Sequence, residues 1–208
     1  IDWLSAFWLC FGGMLVTIGS NGFNQIFEKN LDKLMSRTKN RPLPTGRMSL
    51  TTAWSITLVC GISGSLILWF RLNPLTGILG LSSLILYSFV YTPMKQKTPW
   101  AVLIGAFPGA APPLIGWAAC EAVDFMWISP VALSVFCIQF MWQFPHFWAI
   151  AWRCHDDYQK GGFQLLPSSA GKDAKSAFQI LIYTLFMVPI AMLPCHPDFG
   201  LAGFTSSL

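Results

Sequence analysis

Six runs of roughly 19 to 28 mostly apolar residues recur along the chain, at about 3–23, 52–70, 74–93, 100–119, 125–152 and 176–195, each long enough to cross a hydrocarbon core about 30 Å thick. No water is available inside such a core to satisfy backbone N–H and C=O groups. Segments of this kind must therefore close their hydrogen bonds internally, as helices. The reading is an all-α, polytopic transmembrane bundle, with residues 1–208 forming a single domain. Composition agrees, since 54% of the residues are hydrophobic and only 11% charged, whereas a soluble domain carries about 25% charged residues.

Charge placement gives the bundle two unlike sides. The connections after the first, third and fifth runs hold Lys29, Lys33, Arg37, Lys39, Arg41 and Arg47, then Lys95 and Lys97, then Arg153, Lys160, Lys172 and Lys175. Of the 13 Lys and Arg residues only Arg71 lies on the other side, together with Glu121, Asp124 and Asp198. The positive-inside bias places the three basic connections in the cytoplasm of a bacterial inner membrane, or in the matrix if the membrane is mitochondrial. Polar and charged residues follow the first run where a cleavage site would need small ones, so no signal peptide is read and a piece of a longer protein is expected. The cysteines at positions 10, 60, 120, 137, 154 and 195 form no CxxC pair and read as free thiols.

The first basic connection opens with "NQIFEKNLDKLMSRTKNRPLPTG", residues 24–46. Helical residues four apart drift only about 40° around the axis, so Asn24, Glu28 and Asp32 share one face. An amide and two carboxylates on one stripe at a membrane edge suit Mg²⁺, which takes one or two protein carboxylates and completes its shell with water and substrate phosphate. Arg37 and Arg41 follow within reach, and guanidinium forks match phosphate oxygens. Polar groups emerging from lipid tend to be functional. The plainer alternative is a solvated helix end with local salt links.

Two further stretches carry chemistry. "QFPHFWAIAWRCHDDYQKGGFQLLP", residues 143–167, offers Asp156, Asp157, Tyr158 and Lys160 on the same side as Asp32, with His146 inside the preceding apolar run. Two facing acidic clusters would hold two metal ions on one diphosphate, and His146 is read either as a proton-transfer or haem-ligand group or as a hydrogen-bonded packing residue. "YSFVYTPMKQKTPW" places Tyr87 and Tyr91 four apart with Lys95 beyond them. Aromatic faces stabilise a cation and a lysine holds phosphate as a point charge; an interfacial aromatic belt is the alternative. The fourth run, rich in Gly, Ala and Pro, reads as a tightly packed helix; because Pro108, Pro112 and Pro113 kink or break a helix, the functional alternative is a kinked wall bordering a cavity. The phrases "RPLPTG" at 41–46 and "LLPSSAG" at 165–171, four runs apart, suggest two related halves.

These phrases resemble the intramembrane aromatic prenyltransferases of the UbiA superfamily. "DKLMSRTKNRPLP", "YTPMKQKT", "GAAPPLIGW" and the 143–167 stretch are similar, in this order, to the branch that farnesylates haem. The resemblance implies nine transmembrane helices in a full protein. It also implies Mg²⁺ as cofactor, farnesyl diphosphate and haem B as substrates, the lipid bilayer as environment, and a haem A synthase or oxidase-assembly protein as partner, with no nucleic acid. Carried over residue by residue, Asn24, Glu28, Asp32, Asp156 and Asp157 become metal-site residues. Arg37, Arg41, Lys95 and Lys160 become diphosphate contacts, while Tyr87, Tyr91, Tyr158 and His146 become prenyl or haem contacts. One departure stands out. Where many relatives carry DxxxD in the second motif, the residue four before Asp157 is Arg153. The rival readings are a prenyltransferase acting on a quinone precursor and a non-enzymatic carrier of haem or lipid phosphate.

Overall fold

A computed structural model describes residues 2–120, 128–168 and 170–195. Glu121, Asp124 and Asp198, and the first residues of the run beginning near 125, lie outside them. Among the described residues nine α-helices follow in order: α1 Trp3–Phe27, α2 Lys29–Asp32, α3 Leu50–Arg71, α4 Pro74–Ile85, α5 Thr92–Met94, α6 Ala101–Cys120, α7 Pro130–Arg153, α8 His155–Lys160 and α9 Ala174–Ala191. A π-helical segment, Leu86–Tyr91, joins α4 to α5, and a 3₁₀ turn, Leu193–Cys195, follows α9. Six long helical segments thus cover the six apolar runs.

Local chemistry marks the ends. Asp2 accepts from the Leu4 and Ser5 amides ahead of α1, Ser49 caps α3, Asn73 caps α4 with Pro74 in its first turn, and Asp173 caps α9. Each supplies an acceptor for otherwise orphaned N–H groups. Among the described residues five segments are long and apolar enough to cross a membrane: Trp3–Phe27, Leu50–Arg71, Pro74–Met94, Ala101–Cys120 and Ala174–Cys195. The sixth, α7, has the length, but Gln139, Gln143 and His146 dilute its hydrophobicity. Large apolar side chains such as Phe70, Phe178, Leu185 and Val188 point outward, as they do in a protein whose solvent is lipid.

Packing falls into two groups. α1, α3 and α4 meet around Val16, Phe23, Leu68 and Leu84. α6 and α7 meet around Val102, Ala106, Phe144 and Trp148, with Tyr91 and the Leu165–Leu166 pair closing that core from the basic side. In the first group the helices nearly touch. A Cβ built on Gly19 would lie 2.7 Å from the Cα of Gly61, and one on Gly64 would lie 2.7 Å from the Val16 nitrogen. Small residues at such crossings let backbones approach, which is how helices associate where no hydrophobic effect drives them together. All six cysteines are free thiols.

Candidate active site

Helix α1 ends at Phe27 and α2 begins at Lys29, with Glu28 at the break. The i→i+4 ladder nevertheless runs through it, because Glu28 N–H bonds Asn24 O at 2.9 Å and Asp32 N–H bonds Glu28 O at 2.8 Å. The stripe expected from spacing therefore survives a bend in the axis. It faces inward: Asn24, Glu28 and Asp32 are 7%, 5% and 1% exposed.

Each stripe residue has a partner from a distant part of the chain. Asn24 Nδ2 donates to Thr92 Oγ1 at 3.3 Å, and Thr92 passes its own hydroxyl proton to Tyr87 O at 2.8 Å. Since that hydroxyl has spent its proton, Asn24 must present nitrogen to it and keeps its oxygen free. Lys95 Nζ lies 2.5 Å from Glu28 Oε1, and Arg41 Nη1 donates to Asp32 Oδ2 at 2.8 Å. Lys95 also sits 5.0 Å from the Tyr91 ring centre and 5.3 Å from that of Phe163. Burial pushes the Lys95 pKa down while the Glu28 carboxylate pulls it back up. Both pairs leave acceptor capacity unused. Asp32 Oδ1 is buried with no partner, and Glu28 Oε1 meets Lys95 as an ion contact without hydrogen-bond alignment.

The second polar stretch forms α8 and the turn after it, and it ties three connections together. Asp157 Oδ2 accepts from the Arg37 amide at 3.1 Å, and Asp157 Oδ1 from Lys160 at 3.2 Å. The backbone amides of Ser36 and Arg37, helped by Lys160, hold the Asp157 carboxyl down at about 2. It therefore stays charged well below neutral pH and keeps its grip on the Arg37 segment there. The Arg37 guanidinium lies 5.9 Å from the Tyr158 ring centre. Gln164 N–H donates to Lys95 O at 2.7 Å, and Gln96 Nε2 to Gly161 O at 2.9 Å. Asp156 is exposed. Among the described residues no three His, Cys, Asp or Glu side chains converge as a metal cage. His146 stands apart from the acids and stacks on Trp142, with ring centres 4.2 Å apart.

Toward the membrane interior from the stripe lies a cavity of about 500 Å³ between α1, α4 and α6. On α1 it runs from Leu9 to Asn21, about 18 Å at 1.5 Å per residue. Its far end is apolar. Near the acids it meets Ser20, Asn21 and Tyr87, and Phe147 of α7 also lines it. Tyr87 and Tyr91 lie on the π-helical segment with ring centres 5.4 Å apart. Only Tyr87 lines the cavity, while Tyr91 is buried in the α6–α7 core. Such π-helical turns are frequent at functional sites.

The structure thus gathers Asn24, Glu28, Asp32, Arg41 and Lys95 in one buried cluster. Arg37, Asp157, Tyr158 and Lys160 form a second knot beside it. Thr92, Gln96 and Gln164 do work that sequence reasoning assigned to no residue. Thr92 and Gln96 flank residues already singled out in "YTPMKQKT", which is the one signal that pointed at them.

The model of the UbiA prenyltransferase family matches residues 1–207. The chain belongs to this family. As a UbiA-family chain it is an integral membrane protein. It is 47% identical to the protoheme IX farnesyltransferase of Christiangramia forsetii, over 98% of this chain and 65% of that protein. Similar relatives of the same name come from Flavobacterium psychrophilum, 48% identical over 94% of this chain and 62% of the relative, and Cytophaga hutchinsonii, 46% identical over 100% and 70%. The chain therefore spans about two thirds of the length of the curated relatives it matches. No solved structure matches it.

Proposed function

We propose that this UbiA-family chain carries the catalytic body of an enzyme that transfers the farnesyl group of farnesyl diphosphate to a vinyl group of haem B. The observation that carries the reading is a buried cluster of paired acids and bases standing directly over an apolar intramembrane cavity. A charged leaving group and a greasy chain need those two environments joined end to end. The names of the relatives supply the substrates.

Mg²⁺ fits the residues present. Asp32 Oδ1 is buried without a partner, Glu28 Oε1 has no aligned donor, and the Asn24 oxygen is free. Two carboxylates beside an amide are a usual protein share of a Mg²⁺ shell, the remainder being phosphate and water. Bound there, the ion neutralises charge on the departing diphosphate. Arg37, Arg41, Lys95 and Lys160 hold the diphosphate oxygens. Asp157 serves them by fixing the Arg37 backbone. The farnesyl C1–O bond breaks and both electrons leave with diphosphate. Tyr87 turns its ring toward the resulting allylic cation, with Tyr91 behind it, and the apolar walls keep water away. The haem vinyl π pair closes the new C–C bond to C1. Water captures the cation left beside the porphyrin and loses a proton, for which His146, next in sequence to the cavity-lining Phe147, is the acceptor. Tyr158 borders the charged end. The basic connections face the cytoplasm of a bacterial inner membrane.

The test is transfer by the detergent-solubilised full protein supplied with farnesyl diphosphate, haem B and Mg²⁺, with the product read by mass. Farnesylated haem is expected, and Asp32→Asn should lower kcat/KM by at least about 100-fold. Unchanged turnover in that variant overturns the metal assignment. Product on 4-hydroxybenzoate but not on haem moves the enzyme to quinone-precursor chemistry, and binding of both substrates without transfer makes it a carrier.

A further inference from the structure

The carbonyl of Gly109 lacks the backbone donors of a regular helix. The amides that would close a 3₁₀ or an α turn onto it belong to residues 112 and 113, and both are proline. Inside a membrane helix such an orphan is costly and needs a partner from elsewhere. The partner comes from α7. Gln143 Nε2 donates to Gly109 O at 3.0 Å, and Gln139 Nε2, one turn earlier, approaches it at 3.4 Å. Gln143 is 4% exposed, and because a carbonyl only accepts, the nitrogen end of its amide must face Gly109. Only glycine fits at 109, since a Cβ there would lie 2.7 Å from Gln143 Cδ.

These residues frame the cavity. Gly105, Pro108, Gly109 and Pro112 form its α6 wall, and Phe147, one turn past Gln143, lines it from α7. The two phrases "GAAPPLIGW" and "QFPHF" are thus halves of one device, a broken backbone and the side chain that repairs it.

We propose that Gln143 is a positioning residue. By bonding the Gly109 carbonyl that Pro112 and Pro113 leave open, it pins α6 to α7 and fixes the cavity wall against which the prenyl chain lies. The link from Gln143 to Gly109 stands on geometry alone, and the link to catalysis rests on the function proposed above.

The test pairs Gln143→Met, which keeps length and removes the donor, with Pro113→Ala, which restores a backbone N–H to Gly109. The four proteins are compared by thermal unfolding in detergent and by KM and kcat for farnesyl diphosphate. Gln143→Met should lower Tm and raise KM for farnesyl diphosphate about tenfold with kcat less affected, because the wall holds ground state and transition state alike. In the Pro113→Ala background the same substitution should have little effect on either measurement. If Gln143→Met alone does not fold, Pro113→Ala/Gln143→Met should. Equal effects in both backgrounds, or a double variant that also fails to fold, overturns the link to Gly109. A lowered Tm with KM and kcat unchanged overturns the positioning role. Should no variant or wild-type protein transfer farnesyl, the function proposed above fails, while the coupling in Tm still decides the Gly109 link.

Discussion

Lys95 and Glu28 are nearly dry, at 9% and 7% side-chain exposure, and among the described residues each is the other's only opposite charge at contact distance. Breaking such a pair from one side strands a charge away from water. Lys95→Met should therefore destabilise the protein by about 3–5 kcal/mol in detergent unfolding, and Glu28→Gln/Lys95→Met should recover most of that loss. A double variant as unstable as the single one would show that the pair does not hold the site. The pairing also shows what could be read from the sequence. Asn24, Glu28 and Asp32 were legible as one face because helical spacing is a local rule. Their partners Thr92, Lys95 and Arg41 answer to no spacing rule, and for Thr92 and Lys95 more than sixty positions of chain intervene. Asp157 stood out as a carboxylate, but its bond to a backbone amide leaves no mark on residue types.

Among the elements, α1 and α3 depend on glycine. Gly19→Ala should cost about 1–3 kcal/mol, read as a lowered unfolding midpoint, because the added methyl meets the Gly61 backbone, which cannot move aside as a side chain could. The helices themselves were readable to within a few residues, since a bilayer fixes their length and caps such as Asn73 and Asp173 fix their starts. What escaped was their internal geometry. Three prolines predict a kinked fourth run; they lie within one helix, Ala101–Cys120, and the feature no local rule announces is the Gln143 side chain of α7 that donates to the Gly109 carbonyl. The π-helical segment at 86–91 was equally hidden, as its residues have ordinary helical preferences. Along it the Tyr87 and Tyr91 rings stay 5.4 Å apart, the first lining the cavity and the second buried in the core.

For the whole molecule, the three connections that carry the basic residues interlock at one end of the bundle through Asp157–Arg37, Gln164–Lys95 and Gln96–Gly161. Sidedness follows from that charge. In a variant whose native cysteines are replaced and whose only thiol is introduced at the exposed position 47, a membrane-impermeant maleimide should label inverted vesicles and leave intact cells unlabelled. The reverse pattern would invert the topology. The same interlocked end has a consequence for how a charged substrate enters. Every acid of the inner cluster already keeps a resident cation, so a magnesium–diphosphate complex arriving from the aqueous side meets a locally neutral surface. On the proposed function its capture is a change of partners. The Lys95 ammonium and the Arg41 guanidinium would turn toward the phosphate oxygens, leaving Glu28 and Asp32 to hold the metal. No bare carboxylate need ever face lipid, and the groups set loose by entry are the ones the leaving group requires.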